Sequence, residues 1–142
     1  MTKTFIGIDP GGSGFLSLDN GTDVFSYPIP TIKNKVDYHD LAKLIGGISF
    51  EYDPQLHCVL EDVHAIFGVG ASSTFNFGHI QGFIEGCLVA NGIPYTKVQP
   101  KAWQKVMWEG IPLIVKPSST GKTHVTDTKA MSLMAAKRLF PK

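Results

Sequence analysis

The stretch FIGIDPGGSG, residues 5–14, constrains the fold more than any other part of the chain. The apolar run from Phe5 to Ile8 is typical of a buried strand, and Asp9 stands at its end. Pro10 and the glycines that follow predict a tight turn into a second strand. Because a buried carboxylate without a partner is strongly destabilising, we expect Asp9 to contact a metal ion, a phosphate-bound cofactor or its own backbone turn.

Composition places the chain among globular proteins. Of its 142 residues, 43% are hydrophobic and 18% are charged, which excludes an intrinsically disordered chain. No apolar stretch reaches the roughly 18 residues that a membrane span needs, and no signal-peptide pattern opens the chain. Cys58 and Cys87 lack the spacing of metal ligands. We therefore expect two reduced, buried thiols, a cytoplasmic location and no membrane partner.

Positive charge is concentrated in the last third of the chain. Residues 97–142 contain nine Lys and Arg against two acidic residues, whereas residues 1–96 contain four against ten. A local basic surface attracts polyanions even when the whole chain is nearly neutral. The charge alone leaves open the alternative of a solvated basic face without a partner.

The pattern of apolar residues and turn signals predicts a mixed α/β fold in a single domain over residues 1–142. Turn residues separate three opening strands, and helices then alternate with strands. The predicted strands are 3–9, 15–18, 24–27, 57–61 and 95–98. The predicted helices are 37–49, 73–91, 100–108 and 127–139, the last capped by Thr126 or Asp127, with loops at 64–72 and 109–125.

Glu61 ends the fourth predicted strand as Asp9 ends the first. If these strands are neighbours, both carboxylates emerge at the same sheet edge, where they repel each other unless a cation lies between them. Mg²⁺ is commonly held by one or two carboxylates together with waters and substrate phosphates. The pair therefore favours a metal-dependent enzyme that cuts phosphodiesters. The alternative for Asp9 is a hydrogen bond to its own turn, and Asp62 is a poorer candidate because strand alternation points it away from Glu61.

Four motifs occur in order along almost the whole chain: IGIDPGGSG, VLEDVHA, GASSTFNFGHIQGFIEGCLVANGIPYTKVQPKAWQKVM and DTKAMSLMAAKRLFP. Together they resemble the phage-type RuvC-like Holliday junction resolvases. The resemblance implies a ribonuclease H-like fold, in which a mixed sheet of three antiparallel and then parallel strands has helices on both faces. It also implies a homodimeric endonuclease, dependent on Mg²⁺ with Mn²⁺ as a substitute, that nicks four-way and branched DNA symmetrically in a bacterial or phage-infected cell.

The same resemblance assigns site residues and reveals a departure. Asp9 matches the family's first-strand metal ligand and Glu61 the acidic residue that ends its fourth strand, so both are expected to be catalytic. Relatives carry one or two further acidic or histidine ligands on a helix after the AAKRLFP stretch. Because this sequence stops at Lys142, we expect a truncated chain whose active site is incomplete. Asp127 matches the start of the penultimate helix, where capping is the favoured role.

Glycines recur every four residues on the predicted helix 73–91, at Gly78, Gly82 and Gly86. This spacing places them on one face, where another helix can approach closely. Each helical glycine costs about 1 kcal/mol relative to alanine, so a close contact must compensate. The contact is either a dimer interface, which the resemblance implies, or packing within this domain.

Several residues are candidates for DNA binding. Backbone N–H groups and hydroxyls at a helix start bind phosphate. An aromatic ring can wedge between unstacked base pairs, although burial in the core is the favoured interpretation of Phe75 and Phe77. The predicted loop 109–125 is a flexible basic strip that suits phosphate backbones. Its Gly121-Lys122-Thr123 sequence resembles the end of a nucleotide-binding P-loop, but the required earlier glycine is missing, so we do not expect nucleotide binding there. The DNA-binding candidates are Ser13, Ser72, Ser73, Phe75, Phe77, Lys101, Lys105, Lys116, Lys122 and Lys129, of which Lys129 matches a basic position of the resolvases.

Two other functions remain open at this point. The first is a junction-binding module that does not cleave, either naturally or because the chain is shortened. The second is an ATP-binding fragment of the actin-like or sugar-kinase type, because GIDPGGSG also resembles the first phosphate loop of that fold. Such proteins need a second phosphate loop and a second domain, which we do not expect 142 residues to accommodate.

Overall fold

The structure is a computed structural model that describes residues 3–52, 54–64 and 68–141. The chain packs as two compact units, the first ending at Gln99 and the second beginning at Pro100. The single domain expected over residues 1–142 remains a prediction. In the part of the chain that is described, no helix is both long and apolar enough to cross a lipid bilayer.

A five-stranded mixed sheet forms the centre of the first unit. The elements of this unit are β1 (Thr4–Ile8), β2 (Phe15–Asp19), β3 (Val24–Pro28), β4 (Thr31–Ile32), β5 (Lys35–Val36), α1 (Tyr38–Tyr52), β6 (Leu56–Glu61), α2 (Ala71–Ala90) and β7 (Tyr95–Val98). The strand order is β3-β2-β1-β6-β7, with antiparallel pairs at β3-β2-β1 and parallel pairs at β1-β6-β7. The mixed sheet predicted from the sequence is therefore confirmed.

Both helices of the first unit contribute to a core on one face of the sheet. Strand alternation sends every second side chain of β1 and β6 to this face, so Ile6, Cys58 and Leu60 are fully buried. The core consists of Ile6, Ile8, Leu16, Leu18, Ile29, Leu41, Ile45, Ile48, Leu56, Cys58, Leu60, Ile80, Ile84, Leu88 and Ile93. Burial raises the pKa of the Cys58 thiol to about 12, so this cysteine is inert. Cys87, expected to be buried, is only half-buried.

A short hairpin of β4 and β5 was not predicted from the sequence. Its two-residue turn places Lys33 and Asn34 in the left-handed region, with φ of 50° and 61°. Two-residue hairpin turns favour this backbone conformation because it matches the twist of the strands. Strands of two residues carry no detectable periodicity, so the sequence pattern could not reveal them.

The second unit contains α3 (Pro100–Met107), β8 (Val115–Pro117), β9 (His124–Thr126) and α4 (Thr128–Leu139). The prediction of a continuous loop over 109–125 is wrong, because β8 and β9 form a hairpin there. The Ser118 N–H donates to Thr123 O at 2.8 Å across the turn. The side chains of both short strands are exposed, so no apolar alternation signalled them. The predicted cap of the last helix is confirmed, since Asp127 Oδ1 accepts from the Ala130 N–H at 3.1 Å.

The turn between β1 and β2 depends on the absence of a side chain at Gly14. A Cβ atom there would lie 2.0 Å from Asp9 O and 2.9 Å from Gly11 N. In the observed turn the Asp9 N–H donates to Phe15 O, and the Gly14 N–H donates to Gly11 O. A larger residue must therefore displace the backbone that carries Asp9.

We expect Gly14→Ala to lower the free energy of unfolding by about 1–3 kcal/mol, because the added methyl group overlaps the backbone of the turn. Urea denaturation followed by circular dichroism measures this change. Gly12→Ala is the matched control, since a Cβ at Gly12 meets no described atom within 4 Å, and its effect should stay within about 0.5 kcal/mol. Equal stabilities for the two variants would contradict this role of Gly14.

Candidate active site

The strand register brings Asp9 and Glu61 to neighbouring positions. β1 and β6 are parallel neighbours, and Ile8 pairs with Leu60, so Asp9 and Glu61 are the next residues along the two strands. Neighbouring strands lie about 4.8 Å apart, and paired residues of a parallel sheet point to the same face. By this alternation both carboxylates belong to the face opposite the core, together with the half-exposed Val59.

Asp9 is exposed, and the expectation that it is a buried carboxylate is wrong. The strand ends one residue earlier, at Ile8, and Asp9 follows the alternation to the open face of the sheet. Its Oδ1 accepts a hydrogen bond from the Gly11 N–H at 3.2 Å. This is the contact with its own backbone turn that the sequence allowed as an alternative. A carboxylate has about four acceptor sites, so this bond is compatible with a cation on the same side chain.

Asp62 points to the opposite face from Glu61, as strand alternation predicts. Its carboxylate pairs with Lys97 Nζ at 3.2 Å and with His64 Nε2 at 3.1 Å. Desolvation raises the pKa of Asp62, but hydrogen bonds from Lys97 and Gln81 outweigh it and hold this pKa below its usual value. Asp62 is thus an ionised partner of Lys97 and is not the second carboxylate of the candidate site.

A buried glutamine ties the end of β6 to α2. Gln81 is 7% exposed, and its Oε1 accepts from the Val63 N–H at 3.1 Å. Its Nε2 donates to Asp62 Oδ1 at 3.4 Å and to Glu85 Oε1 at 3.2 Å. Glu85 also pairs with Lys97 at 3.1 Å. The backbone two residues after Glu61 is therefore held by a network within the first unit, a signal the sequence analysis missed.

The donor set at the strand ends suits a hard, oxygen-preferring cation. In a typical magnesium site the protein supplies one or two carboxylates, and waters and a substrate phosphate supply the other ligands. Within residues 3–52, 54–64 and 68–141, no three His, Cys, Asp or Glu side chains lie close enough to share a metal ion. Asp9 and Glu61 are thus the residues that could hold a cation here, with water and phosphate supplying the remaining ligands.

The glycine face of α2 is open. Gly78, Gly82 and Gly86 are all exposed, and a Cβ added to any of them would meet no described atom within 4 Å. The alternative of close packing within this domain therefore finds no support among the described residues. On the same helix Phe75 is 77% exposed and Val89 is 66% exposed. The predicted dimer contact at this face remains a prediction.

The residues at the start of α2 line an open cleft rather than the core. The helix begins at Ala71, two residues before the predicted start, so Ser72 and Ser73 lie within its first turn. Both line the cleft together with Phe75. Phe75 is 77% exposed and Phe77 is 38% exposed, so the favoured interpretation of these rings as core residues is wrong. Ser13 is exposed in the turn that follows Asp9.

The predicted DNA-binding lysines of the second unit are all exposed. Lys101 and Lys105 lie on α3, Lys129 lies on α4, and Lys122 lies in the turn between β8 and β9. Lys116 on β8 differs from them because its Nζ lies 3.6 Å from Asp127 Oδ1, which also caps α4. Its charge is therefore partly neutralised within the second unit.

We expect Gln81→Leu to lower the free energy of unfolding by about 1–3 kcal/mol, because the Val63 N–H and two carboxylates lose a buried partner. Thermal and urea unfolding of the variant measure this loss. Gln104→Leu, a partly exposed glutamine on α3, is the matched control and should change stability by no more than about 0.5 kcal/mol. A Gln81 variant as stable as the control would show that the network does not anchor this strand end.

No protein-family model matches the sequence, and no curated protein matches it significantly. The chain is similar in structure to several solved proteins, two of which are described here. The Thermus thermophilus RuvC structure is 13% identical, with a TM-score of 0.53, over 97% of this chain and 80% of that chain. T. thermophilus RuvC in complex with a Holliday junction substrate is 14% identical, with a TM-score of 0.51, over 75% of this chain and 71% of that chain. This chain therefore has the ribonuclease H-like fold of RuvC.

Proposed function

We propose that this protein is a structure-selective DNA endonuclease of the RuvC-like, phage type that resolves Holliday junctions and other branched DNA. The observation that carries the proposal is the register of β1 and β6, which brings Asp9 and Glu61 to neighbouring strand ends on one face of a RuvC-like sheet. A fold by itself does not determine a function, so the two carboxylates are essential to the inference. The junction-bound RuvC neighbour supports DNA as the substrate.

Asp9 and Glu61 would hold Mg²⁺, with Mn²⁺ as a substitute. When bound, such ions activate a water molecule and stabilise the leaving oxygen of a phosphodiester. The residues of the chain supply the negative charge and the positioning. The Gly14 turn fixes the backbone at Asp9, and Gln81 fixes the backbone that follows Glu61.

Exposed lysines and hydroxyls would bind the DNA backbone. Phosphate contacts position a protein on DNA and supply most of its sequence-independent affinity. The residues proposed for this role are Ser13, Ser72, Ser73, Lys101, Lys105, Lys116, Lys122 and Lys129, with Phe75 and Phe77 as candidates for base contacts. Lys116 is the weakest of these because Asp127 already neutralises part of its charge.

A homodimer would give the two symmetric nicks that resolution of a four-way junction requires. We propose that the exposed glycine face of α2 is the contact between the two copies. Three aligned glycines allow a close helix approach, and the space around their Cβ positions supports a partner outside the described chain. A symmetric contact of this kind uses the same surface on both copies.

A second candidate function is a junction-binding module that does not cleave. It is favoured by one observation, namely that the described residues contain no group of three potential metal ligands. Under this alternative the fold and the basic surface bind branched DNA, and the two carboxylates hold a cation too weakly for catalysis. Nicking is therefore the property that separates the two functions.

We expect the purified chain to nick a labelled four-way junction in Mg²⁺ or Mn²⁺, and Asp9→Asn to lower the rate at least about a hundredfold while junction binding persists. Even residues that only orient a metal ligand are worth about 10–100-fold, so loss of a ligand should cost more. Glu61→Gln should behave in the same way. Denaturing gels measure the nicks, and gel shifts measure binding.

Asp23→Asn is the matched control for this experiment. Asp23 is an exposed acidic residue in the turn between β2 and β3, at the opposite end of the sheet from Asp9. Its substitution should leave both nicking and binding unchanged. Normal nicking by Asp9→Asn would refute the proposed metal ligand. Binding by the wild-type chain without nicks at any metal concentration would instead favour the binding module.

A further inference from the structure

Strand β3 forms an open edge of the sheet in the first unit. It is the last strand in the order β3-β2-β1-β6-β7, and among the described strands it pairs with β2 alone. All five of its residues, from Val24 to Pro28, are exposed. Val24, Phe25 and Tyr27 are 45%, 41% and 38% exposed, so the edge is apolar as well as open. The proposed nuclease function gives this strand no role.

The two edges of this sheet differ in charge. The other edge strand, β7, carries Lys97, which pairs with Asp62 and Glu85. Residues 24–28 have the sequence VFSYP, in which no side chain is charged. Edges that stay unpaired are commonly very short or carry charged side chains, since free N–H and C=O groups on an apolar strand are a template for another strand. The composition of β3 is therefore that of an edge that pairs.

Hydrogen bonds at both ends of the β2-β3 hairpin show which backbone groups of β3 bond to β2. The Ile29 N–H donates to Gly14 O at 3.0 Å at one end, and the Asn20 N–H donates to Asp23 O at 3.2 Å at the other. Both pairs continue the register of the two strands, along which hydrogen-bonded and non-hydrogen-bonded pairs alternate. It follows that every second residue of β3, starting with the first, directs its N–H and C=O away from β2.

The outward-facing residues of β3 are therefore Val24, Ser26 and Pro28. The Ser17 and Ser26 hydroxyls lie 3.0 Å apart, which fits a non-hydrogen-bonded pair, because side chains are closest in such pairs. In the part of the chain that the structure describes, no hydrogen bond reaches the outward backbone groups of these three residues. Pro28 has no N–H, so the edge offers the N–H groups of Val24 and Ser26 and the carbonyl groups of all three.

We propose that β3 pairs with β3 of a second copy of this chain, in antiparallel orientation and with Ser26 on the two-fold axis. In this register the two Ser26 residues face each other, and each Val24 faces a Pro28 across the contact. The two Ser26 N–H groups donate to the two Ser26 carbonyl groups, and each Val24 N–H donates to the opposite Pro28 carbonyl. Both outward N–H groups of each copy thereby gain a partner, and Pro28 stands where no donor is needed.

The same register brings the aromatic side chains of the two strands together. Phe25 of each copy faces Tyr27 of the other, in the non-hydrogen-bonded positions where side chains lie closest. Cross-strand aromatic pairs of this kind stabilise antiparallel sheets. A register centred on Phe25 would instead place Tyr27 opposite Asp23. The strand is thus complementary to itself about Ser26, which is why the inferred occupant is a second copy and not an unrelated peptide.

This contact goes beyond the proposed function, because it uses the sheet edge and leaves the glycine face of α2 free. A symmetric contact uses the same surface on both copies, and strand addition at an edge extends the sheet by main-chain hydrogen bonds. Two copies of the five-stranded sheet then form one continuous sheet. Neither nicking nor DNA binding is needed for the contact, so its tests are independent of the nuclease proposal.

Cysteine cross-linking tests the register. Facing residues of a hydrogen-bonded strand pair have Cα atoms about 5.5 Å apart, which is within disulfide reach, so Ser26→Cys should give a disulfide-linked dimer under mild oxidation. Val24→Cys is the matched control, because Val24 is exposed on the same strand but faces Pro28 across the contact. We expect the yield of linked dimer on non-reducing gels to be at least about tenfold higher for Ser26→Cys, since distant thiols cannot be bridged.

The wild-type chain measures any cross-link through its own thiols, Cys58 and Cys87, and this background is subtracted from both variants. Mass spectrometry of the linked dimer then identifies the bridged residues. A bridge between the two Ser26→Cys positions supports the contact. Equal yields for the two variants, or a higher yield for Val24→Cys, would overturn the proposed register.

The molar mass in solution tests the contact itself. Ser26→Lys places two like charges opposite each other on the axis, so we expect it to halve the mass that light scattering gives for the wild-type chain at the same concentration. Ser17→Lys is the matched control, because it removes the same Ser17–Ser26 hydrogen bond and adds the same charge one strand away from the edge. Its mass should equal that of the wild-type chain, and circular dichroism verifies that both variants fold.

Two results would overturn the pairing of β3 with itself. One is a wild-type chain that stays monomeric up to about 0.1 mM, which would leave the edge to a partner other than a second copy. The other is a wild-type oligomer whose mass Ser26→Lys does not change, since the copies would then associate through another surface. In either case the nicking assay with Asp9→Asn still decides the nuclease proposal separately.

Discussion

The parallel pairing of β1 with β6 is the interaction on which the rest of this structure depends. It joins an antiparallel meander to the parallel part of the sheet, and its register decides which residues end side by side. A shift of one residue would send Glu61 to the helix-covered face and Asp62 to the open face, because side chains alternate along a strand. Burial of Ile6, Cys58 and Leu60 beneath α1 and α2 opposes such a shift.

The carboxylates of Glu61 and Asp62, at the end of β6, lie on opposite faces of the sheet. On the core side, Lys97 neutralises Asp62 and Glu85, and the hydrogen bonds that hold their pKa values low also join β7 to α2. On the open side, Asp9 and Glu61 belong to the same register step, where a shared cation would offset the charge of both carboxylates. Asp62 thus contributes to stability, whereas its neighbour Glu61 contributes to the proposed chemistry.

The sequence predicted the elements whose apolar pattern is long enough to read. β7 was predicted to the residue, and the main sheet strands and all four helices were placed within a few residues. The position of Asp9 and Glu61 followed from the same pattern, since each ends an apolar run. The burial of Asp9 was mispredicted because the sequence alone does not reveal which face of the sheet stays open. The core interpretation of Phe75 was wrong for a related reason. Apolar and polar residues are mixed around the whole circumference of α2, so its outward face cannot be identified from spacing.

The two short hairpins and the open cleft at the start of α2 could not be predicted from such patterns. Their strands are two or three residues long, and the cleft is assembled from four separate segments that only the fold brings together. The spacing of Phe75 and His79, four residues apart on a helix, was the one signal available in the sequence. This spacing does not reveal that Tyr38, from a different helix, stacks on His79.

The central claim is that Asp9 and Glu61 share a divalent cation, and anomalous diffraction from crystals grown with Mn²⁺ and a junction DNA tests it most directly. The account predicts an anomalous peak within about 2.3 Å of a carboxylate oxygen of each residue, a bond length typical of such ions. It also predicts that the peak is absent from Asp9→Asn crystals prepared identically. A wild-type crystal with Mn²⁺ bound elsewhere and no peak between these two side chains would contradict the account.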